Sequence, residues 1–205
     1  MSVFSTQLVA QALTYKAYQE LSQQLFQQHK TTSDDPYFNE DWVLEITKLN
    51  LQRISRLDKS ASINEKLTFL LQNLPRKQIW LVLVESWCGD VAQNLPAIHK
   101  MAETAAGKVE LKLLLRDKNP AVMNAYLTNG GKSIPKLIAL DAETLQELGT
   151  WGPRPEPVQA LMLENKAANL SFEASHQIIH GWYAKDKNKT LQEEFMNLVE
   201  KWSSF

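Results

Sequence analysis

An unbroken apolar run that ends in a tryptophan–cysteine turn constrains the fold more than any other part of the chain. Residues 79–84, IWLVLV, are all apolar, which is typical of a strand buried on both faces. The sequence WCGD follows at 87–90, and the pattern after it predicts a helix over about 89–105. A cysteine at a helix N-terminus lies where backbone N–H groups and the helix dipole favour the thiolate. Cys88 is the only cysteine of the chain, so an internal disulfide is excluded.

The segment that begins near residue 77 alternates between strand and helix patterns. A helical crossover makes its first two strands parallel, and the short link at 141–143 makes its last two strands a hairpin. If the third strand lies antiparallel to the first, four corners of the sheet meet at one edge, where open α/β sheets place their sites. The predicted strands are near 79–85, 109–115, 136–140 and 144–151, the second crossover helix is near 119–127, and the corners are 87–90, 116–117, 133–135 and 151–154.

Helical patterns flank this core at both ends. We therefore predict an N-terminal helical extension over 1–76, a core over 77–168 and a C-terminal helical extension over 169–205. The predicted helices of the extensions span 5–30, 39–58, 64–73, 171–186 and 190–202, and a predicted helix over 157–168 ends the core. The residues expected to point inward on the second helix are Trp42, Ile46, Leu49, Ile54 and Leu57. Asn50, Arg53 and Arg56 recur every three residues on that helix, and the simplest interpretation is a solvated polar face.

Composition and charge exclude several function classes. The net charge is −1, so the chain lacks the positive charge that nucleic acid or an anionic membrane requires of a partner. No basic start followed by an apolar block marks a signal peptide, and no apolar stretch approaches the ~20 residues that span a bilayer. We therefore expect a cytoplasmic protein. His176 and His180 are four residues apart on a predicted helix, but no third ligand is evident, so no metal site is predicted.

Four landmarks resemble the thioredoxin family. Residues 87–89, Trp-Cys-Gly, resemble the start of the Trp-Cys-Gly-Pro-Cys site, and Pro96 stands where thioredoxins have a helix-kinking proline. Residues 117–120 resemble the Asp-x-Asn-Pro turn, and residues 133–135 resemble the segment whose cis-proline faces the active cysteine. The segments Trp-Cys-Gly-Asp and Trp-Gly-Pro-Arg-Pro are also similar to those of a bacterial branch of thioredoxin-like proteins. The resemblance implies a thioredoxin-like α/β fold, a β-α-β-α-β-β-α core with a mixed central sheet and added helices at both ends.

The chain departs from thioredoxin at the position of the second cysteine. Asp90 and Val91 stand where thioredoxins have proline and the resolving cysteine, so an ordinary dithiol cycle is not expected. The resemblance then implies a single-thiol role, in which Cys88 forms a mixed disulfide with a protein thiol or a small thiol and an external thiol resolves it. Glutathione would serve as a co-substrate, and no other cofactor is implied. One alternative is a non-catalytic protein that binds a peptide or an anion in the same groove, and another is that Cys88 only packs beside Trp87.

The candidate catalytic residues are Cys88 and Asp90. The helix N-terminus lowers the pKa of the thiol whereas the charge of Asp90 raises it, and the sequence leaves the sum open. Asp90 either caps the helix or accepts the thiol proton. Two arginines at the same edge either bind an anion or pair with Asp90 and Asp117, and Lys132 is a solvated loop residue. The candidate substrate-binding residues are Trp87, Gly89, Arg116, Asp117, Ser133, Ile134, Pro135, Trp151 and Arg154. The N-terminal helices either pack on the sheet or form a dimer.

Overall fold

The computed structural model describes residues 3–204 and places a four-stranded mixed sheet at the centre of the fold. Residues 1, 2 and 205 of the predicted extensions lie outside the described residues. The first strand pairs in parallel with the second and antiparallel with the third, which pairs antiparallel with the fourth. This is the predicted α/β topology, in the order β2-β1-β3-β4. The strands are β1 (Gln78–Val84), β2 (Val109–Leu115), β3 (Lys136–Asp141) and β4 (Glu147–Trp151).

Helices precede the sheet, connect its strands and follow it. They are α1 (Thr6–Gln11), α2 (Tyr15–Gln27), a 3-10 helix (Pro36–Asn39), α3 (Asp41–Ser60), α4 (Glu65–Gln72), α5 (Gly89–Thr104), α6 (Pro120–Ala125), α7 (Glu156–Ala167), α8 (Phe172–Asp186) and α9 (Lys189–Trp202). Helix α5 continues through Pro96. No helix within residues 3–204 is long and apolar enough to cross a membrane.

The central strand β1 is buried along its whole length, as its apolar sequence predicts. The Trp80 ring packs against Phe195 and Trp202 of α9, with ring centroids 5.3 and 6.0 Å apart. Trp202 also lies against Gly149 of β4, where a Cβ would approach the indole nitrogen to 2.2 Å. Residues of both extensions share one hydrophobic core with the sheet. The extensions are therefore packed on the sheet and its connecting helices, and their boundaries near residues 76 and 168 stay a prediction.

The predicted first helix, 5–30, is wrong because the chain leaves the helix near Leu13. The backbone N–H and carbonyl of Leu13 both bond to Leu113 of β2, at 2.8 Å each. The hydroxyl of Thr14 then accepts the N–H of Ala17 and starts α2. A one-residue bridge to the edge strand thus divides the predicted helix in two, and satisfies backbone groups at that edge.

The predicted inward face of α3 is correct for Ile54, which is buried, but wrong for two of its other residues. Trp42 and Leu49 are 45% and 50% exposed, although their spacing predicts burial. The buried face instead includes Asn50, whose amide donates to the carbonyl oxygen of Ser86 at 3.1 Å. This polar contact fixes the rotation of the helix, so Asn50 is not part of a solvated face. The buried residues of α3 are Val43, Leu44, Thr47, Asn50 and Ile54.

The β3–β4 connection is longer than the sequence pattern predicts. A carboxylate oxygen of Asp141 accepts the N–H groups of Glu143 and Thr144 and the hydroxyl of Thr144. These bonds hold the chain in a turn, so β4 begins at Glu147 and not at the predicted position 144.

Candidate functional site

Cys88 lies at the sheet edge where β1 ends and β3 begins. Cys88 is the N-cap residue of α5, and only 8% of the residue is exposed. The thiol donates to the carbonyl oxygen of Ile134 at 3.2 Å, and the Ile134–Pro135 peptide bond is cis. The sheet brings these residues together because Leu83 of β1 pairs with Lys136 of β3. The thiol therefore faces the Ile134–Pro135 segment.

The groups around Cys88 have opposing effects on its pKa, and together they make the thiol a weaker acid than a free cysteine. Burial, followed by the negative charge of Asp90, raises the pKa of Cys88 to about 12. The backbone N–H groups of Val91 and Asp90 and the guanidinium of Arg154 lower that pKa, but less strongly. In this conformation the thiol therefore keeps its proton at neutral pH. Exposing the sulfur to water would remove the largest cause of the raised pKa.

Asp90 is fixed by an ion pair and does not cap α5. One carboxylate oxygen accepts from Nε and Nη2 of Arg154, at 3.0 and 2.5 Å, and the other accepts the hydroxyl of Tyr183 at 2.9 Å. The N-cap of α5 is Cys88, without a side-chain cap bond, so the predicted cap by Asp90 is wrong. Of the two roles predicted for Arg154, binding an anion or pairing with Asp90, the structure contains the pairing with Asp90. Both side chains are largely buried.

Arg116 and Trp87 form a layered arrangement on one side of the cysteine. Arg116 pairs with Asp117, its Nε lying 2.7 Å from the carboxylate. Its guanidinium lies over the Trp87 ring, 4.6 Å from the centroid. The Phe38 ring stacks on Trp87 at 4.1 Å, and the Arg116 guanidinium also lies 5.3 Å from the Phe38 centroid. Trp87, predicted to bind substrate, is therefore covered by a residue of the N-terminal extension.

We call residues 31–39, which carry Phe38, the strap. The hydroxyl of Thr32 bonds to the carboxylate of Glu85, and the N–H of Ser86 bonds to the Thr32 hydroxyl at 2.9 Å. Ser33 donates to Asp117. Glu85 is fully buried and also accepts the Asp117 N–H, and its burial raises its pKa to about 7. Sequence reasoning missed this buried carboxyl, although an acidic residue directly after an apolar strand was a visible signal.

Helix α8 packs against the start of α5, directly after the cysteine. A Cβ on Gly89 would lie 3.3 Å from Nε2 of His180, so the histidine rests on the first residue of α5. Nε2 of His180 is 2.7 Å from Nε2 of His176, and Nδ1 of His180 is 2.7 Å from the amide nitrogen of Gln93. The Gln93 amide donates to Nδ1, so His180 carries its proton on Nε2 and donates it to His176.

Both histidines of this pair are uncharged at neutral pH. Burial and the charge of Arg53 lower the pKa of His176, and the same causes lower the pKa of His180 to about 3. Across residues 3–204 there is no group of three or more His, Cys, Asp or Glu side chains placed to hold a metal ion.

The remaining predicted site residues lie in the 151–154 loop and in the segment that ends at Pro135. Gly152 has φ +113°, and a Cβ there would lie 2.2 Å from the carbonyl oxygen of Pro135, so the 151–154 loop lies directly against the Ile134–Pro135 segment. Trp151 faces the core instead, where its indole donates to Glu194 at 2.6 Å. Ser133 is half-buried beside Pro135, and Lys132 is exposed.

A family model described as thioredoxin matches residues 38–171, which span α3 and the whole sheet. A solved structure of a protein of unknown function from Pseudomonas aeruginosa is similar over 98% of both chains, with a TM-score of 0.56 and 17% identity. A solved HIV epitope-scaffold is similar over 97% of this chain and 94% of its own, with a TM-score of 0.55 and 16% identity. These two structures share the fold. No curated protein sequence matches the chain significantly.

Proposed function

The chain belongs to the thioredoxin family, and on that premise we propose that Cys88 is a single redox thiol that exchanges disulfides with a protein or a small thiol such as glutathione. The Cys88 thiolate attacks one sulfur of a disulfide, a new Cys88 mixed disulfide forms, and the other sulfur leaves as a thiolate that takes up a proton. An external thiol, deprotonated, then attacks the mixed disulfide and releases Cys88. Val91 stands at the resolving position, so the second thiol comes from outside the chain.

One observation carries this proposal: three groups that favour a sulfur anion surround Cys88. They are the N–H groups of Asp90 and Val91 and the guanidinium of Arg154, each of which lowers the pKa of the thiol. A cysteine that only filled space would gain nothing from them. Burial is the largest opposing cause, and burial changes when a covering element moves.

The covered thiol is the resting form of this cycle. When α8 moves away from Gly89, water reaches the sulfur and the largest cause of the raised pKa is removed. A disulfide can then approach Cys88 between Trp87 and the Ile134–Pro135 segment. A reducing cytoplasm would keep the lone thiol reduced and would supply the external thiol.

The alternative of a non-catalytic anion-binding groove has less support. It requires Arg116 and Arg154 to be free, and each of them binds a carboxylate of this chain, Asp117 and Asp90 respectively. A peptide pairing with Ile134 would also compete with the Cys88 thiol for the carbonyl oxygen.

The test is the rate of Cys88 alkylation in the native protein against pH and denaturant, with Cys88→Ser as the blank. We expect slow labelling at neutral pH, at a rate that low concentrations of denaturant leave unchanged, because the opening is local. Asp90→Asn removes the charge that raises the thiol pKa, so labelling at mildly alkaline pH should become several-fold faster. Oxidised glutathione should then add one glutathione to the native wild type by mass.

A packing role for Cys88 gives a different pattern. Labelling would then follow global unfolding at every denaturant concentration, and no glutathione adduct would form in the native state. That result would leave the protein as a thioredoxin-like fold without thiol chemistry.

A further inference from the structure

In the part of the chain that the structure describes, Arg53 on α3 is a half-buried cation without a carboxylate partner. Within residues 3–204 no Asp or Glu oxygen lies within ion-pair distance of its guanidinium. Its hydrogen bond in that part of the chain runs from Nη1 to Oδ1 of Asn50, at 2.6 Å. Most of the guanidinium donors are therefore unused, in contrast with Arg154, which binds Asp90 through two nitrogens. Burying a cation costs free energy unless an anion compensates it.

The position of Arg53 is fixed relative to the cysteine. Asn50, which accepts its hydrogen bond, is fully buried and donates to the carbonyl oxygen of Ser86. Ser86 lies two residues before Cys88 in the chain. The guanidinium is thus tied through one buried amide to the segment that carries the thiol.

The histidine pair and the N-terminus of α5 lie on the same side of the molecule as Arg53. The charge of Arg53 lowers the pKa of both His176 and His180, so the guanidinium lies near the histidine pair. His180 itself rests on Gly89, the first residue of α5, where the helix dipole is positive. The guanidinium and the two neutral imidazoles therefore lie near the N-terminus of α5, next to Cys88 in the chain, and within residues 3–204 no acidic side chain pairs with Arg53.

An exposed aromatic rim leads to this position. Tyr37, Trp42 and Phe172 are 52%, 45% and 57% exposed, and their rings form edge contacts at 5.6 and 6.1 Å. The Phe172 ring in turn stacks on His176 at 5.4 Å. The rim joins the N-terminal extension to α8 and offers apolar surface for the uncharged part of a small ligand.

We propose that Arg53, held by Asn50 and flanked by His176 and His180, binds the carboxylate of a small thiol or disulfide that reacts at Cys88. The proposal rests on the single-thiol function, because it names the class of compound that function uses. A carboxylate matches the planar fork of a guanidinium and can be bound through two N–H groups at once. Acidic thiols and disulfides are thereby preferred over neutral and basic ones.

The first experiment compares three small disulfides of similar size and different charge on the full chain. They are 3,3′-dithiodipropionate, which is anionic, bis(2-hydroxyethyl) disulfide, which is neutral, and cystamine, which is cationic. We expect Cys88 to form a mixed disulfide with the anionic compound about tenfold faster than with the cationic one at low salt. Arg53→Gln should abolish this preference, so that the two rates become about equal, and Arg53→Lys should keep part of the preference. Arg56→Gln removes an exposed arginine one turn away whose charge also acts on Arg53, and it should reduce the preference far less than Arg53→Gln does.

The second experiment measures binding without thiol chemistry. The thioether 3,3′-thiodipropionate carries the same carboxylates and cannot exchange, and its binding is followed by NMR of the His176 and His180 ring protons. We expect saturable shifts of both rings, weakened about fivefold or more in Arg53→Gln and far less in Arg56→Gln. Inorganic phosphate should bind more weakly than the thioether, and tighter phosphate binding would overturn the assignment to a carboxylate.

The two experiments separate this proposal from the function on which it rests. If the thioether binds through Arg53 but no disulfide reacts with native Cys88, the carboxylate site stands and the redox function fails. If all three disulfides react at equal rates and the thioether leaves both histidines unshifted, the redox function stands and the carboxylate site is wrong.

Discussion

Two elements cover the cysteine turn, and they are attached to the core in different ways. The strap is tied down by polar contacts, since the buried side chains of Thr32 and Ser33 bond to Glu85, Ser86 and Asp117. Helix α8 packs through a small apolar cluster, made of its own Ile179 and Tyr183 with Val158 of α7, and its Tyr183 and His180 side chains bond to Asp90 and Gln93 of α5. The strap thus bonds to residues at the ends of β1 and β2, whereas α8 bonds to side chains at the start of α5.

This difference predicts which cover opens. The strap bonds to Glu85 and Ser86 are fully buried, whereas the α8 bonds to Asp90 and Gln93 are partly buried, and a segment held by partly buried bonds separates from the core at a lower free energy. Access to Cys88 should therefore depend on α8, and global stability should depend on the strap and the carboxyl beneath it. Perturbing each cover in turn tests the comparison.

The largest effect is expected at Glu85, beneath the strap. Burial raises its pKa from 4.5 to about 7, so the folded protein holds this proton more tightly than the unfolded chain does. The contribution of Glu85 to the free energy of unfolding is then greatest at low pH. It falls by about 3 kcal/mol as the pH rises from about 4.5 to about 7. Urea unfolding of the wild type and Glu85→Gln across this range measures it, since the amide does not titrate.

The matched comparison is the difference between these two proteins at each pH, which removes the contributions of other groups. A difference that stays constant from acid to neutral pH would show that Glu85 titrates normally. In that case the strap would not sit on a buried carboxyl.

The next effect is expected at Ile179, beneath α8. Ile179→Ala removes buried methyl groups from the small cluster, which should favour opening of α8 while leaving the main core intact. We expect Cys88 alkylation to accelerate about tenfold or more, with a much smaller change in the midpoint of global unfolding. Ile178→Ala is the matched control, because Ile178 is exposed on the same helix. Equal labelling rates in the two variants would show that α8 does not gate the thiol.

The sheet could be predicted because its strands and connections are encoded by residues that are close together in the sequence. The helical crossover between β1 and β2 and the hairpin link between β3 and β4 determine strand direction, and the thioredoxin landmarks fall on the corners that these strands form. The first predicted helix failed because the bridge between Leu13 and Leu113 depends on an edge strand 100 residues away in the chain, which no local pattern reveals.

The candidate site was predicted less completely, for a similar reason. The contacts of Cys88 with Ile134 and of Asp90 with Arg154 were within reach of a fold-level argument. The contact between Thr32 and Glu85 spans 53 residues, and that between Asn50 and Ser86 spans 36. Asn50 and Arg53 showed a regular spacing, but a polar spacing alone does not distinguish a solvated face from a buried amide that positions a cation. The predicted roles of the site residues stay predictions.

The smallest effects are expected from two glycines, and they should differ in sign. Gly89→Ala places a methyl group 3.3 Å from Nε2 of His180, so the histidine pair must shift by a few tenths of an ångström. Gly181→Ala lies on α8 itself, has open space at its Cβ, and should stabilise the helix by about 0.5–1 kcal/mol. We expect Cys88 labelling to become about threefold faster in Gly89→Ala and about threefold slower in Gly181→Ala. Global stability should change by less than about 1 kcal/mol in either variant. Labelling that moves in the same direction in both would mean that α8 docking and thiol access are not coupled.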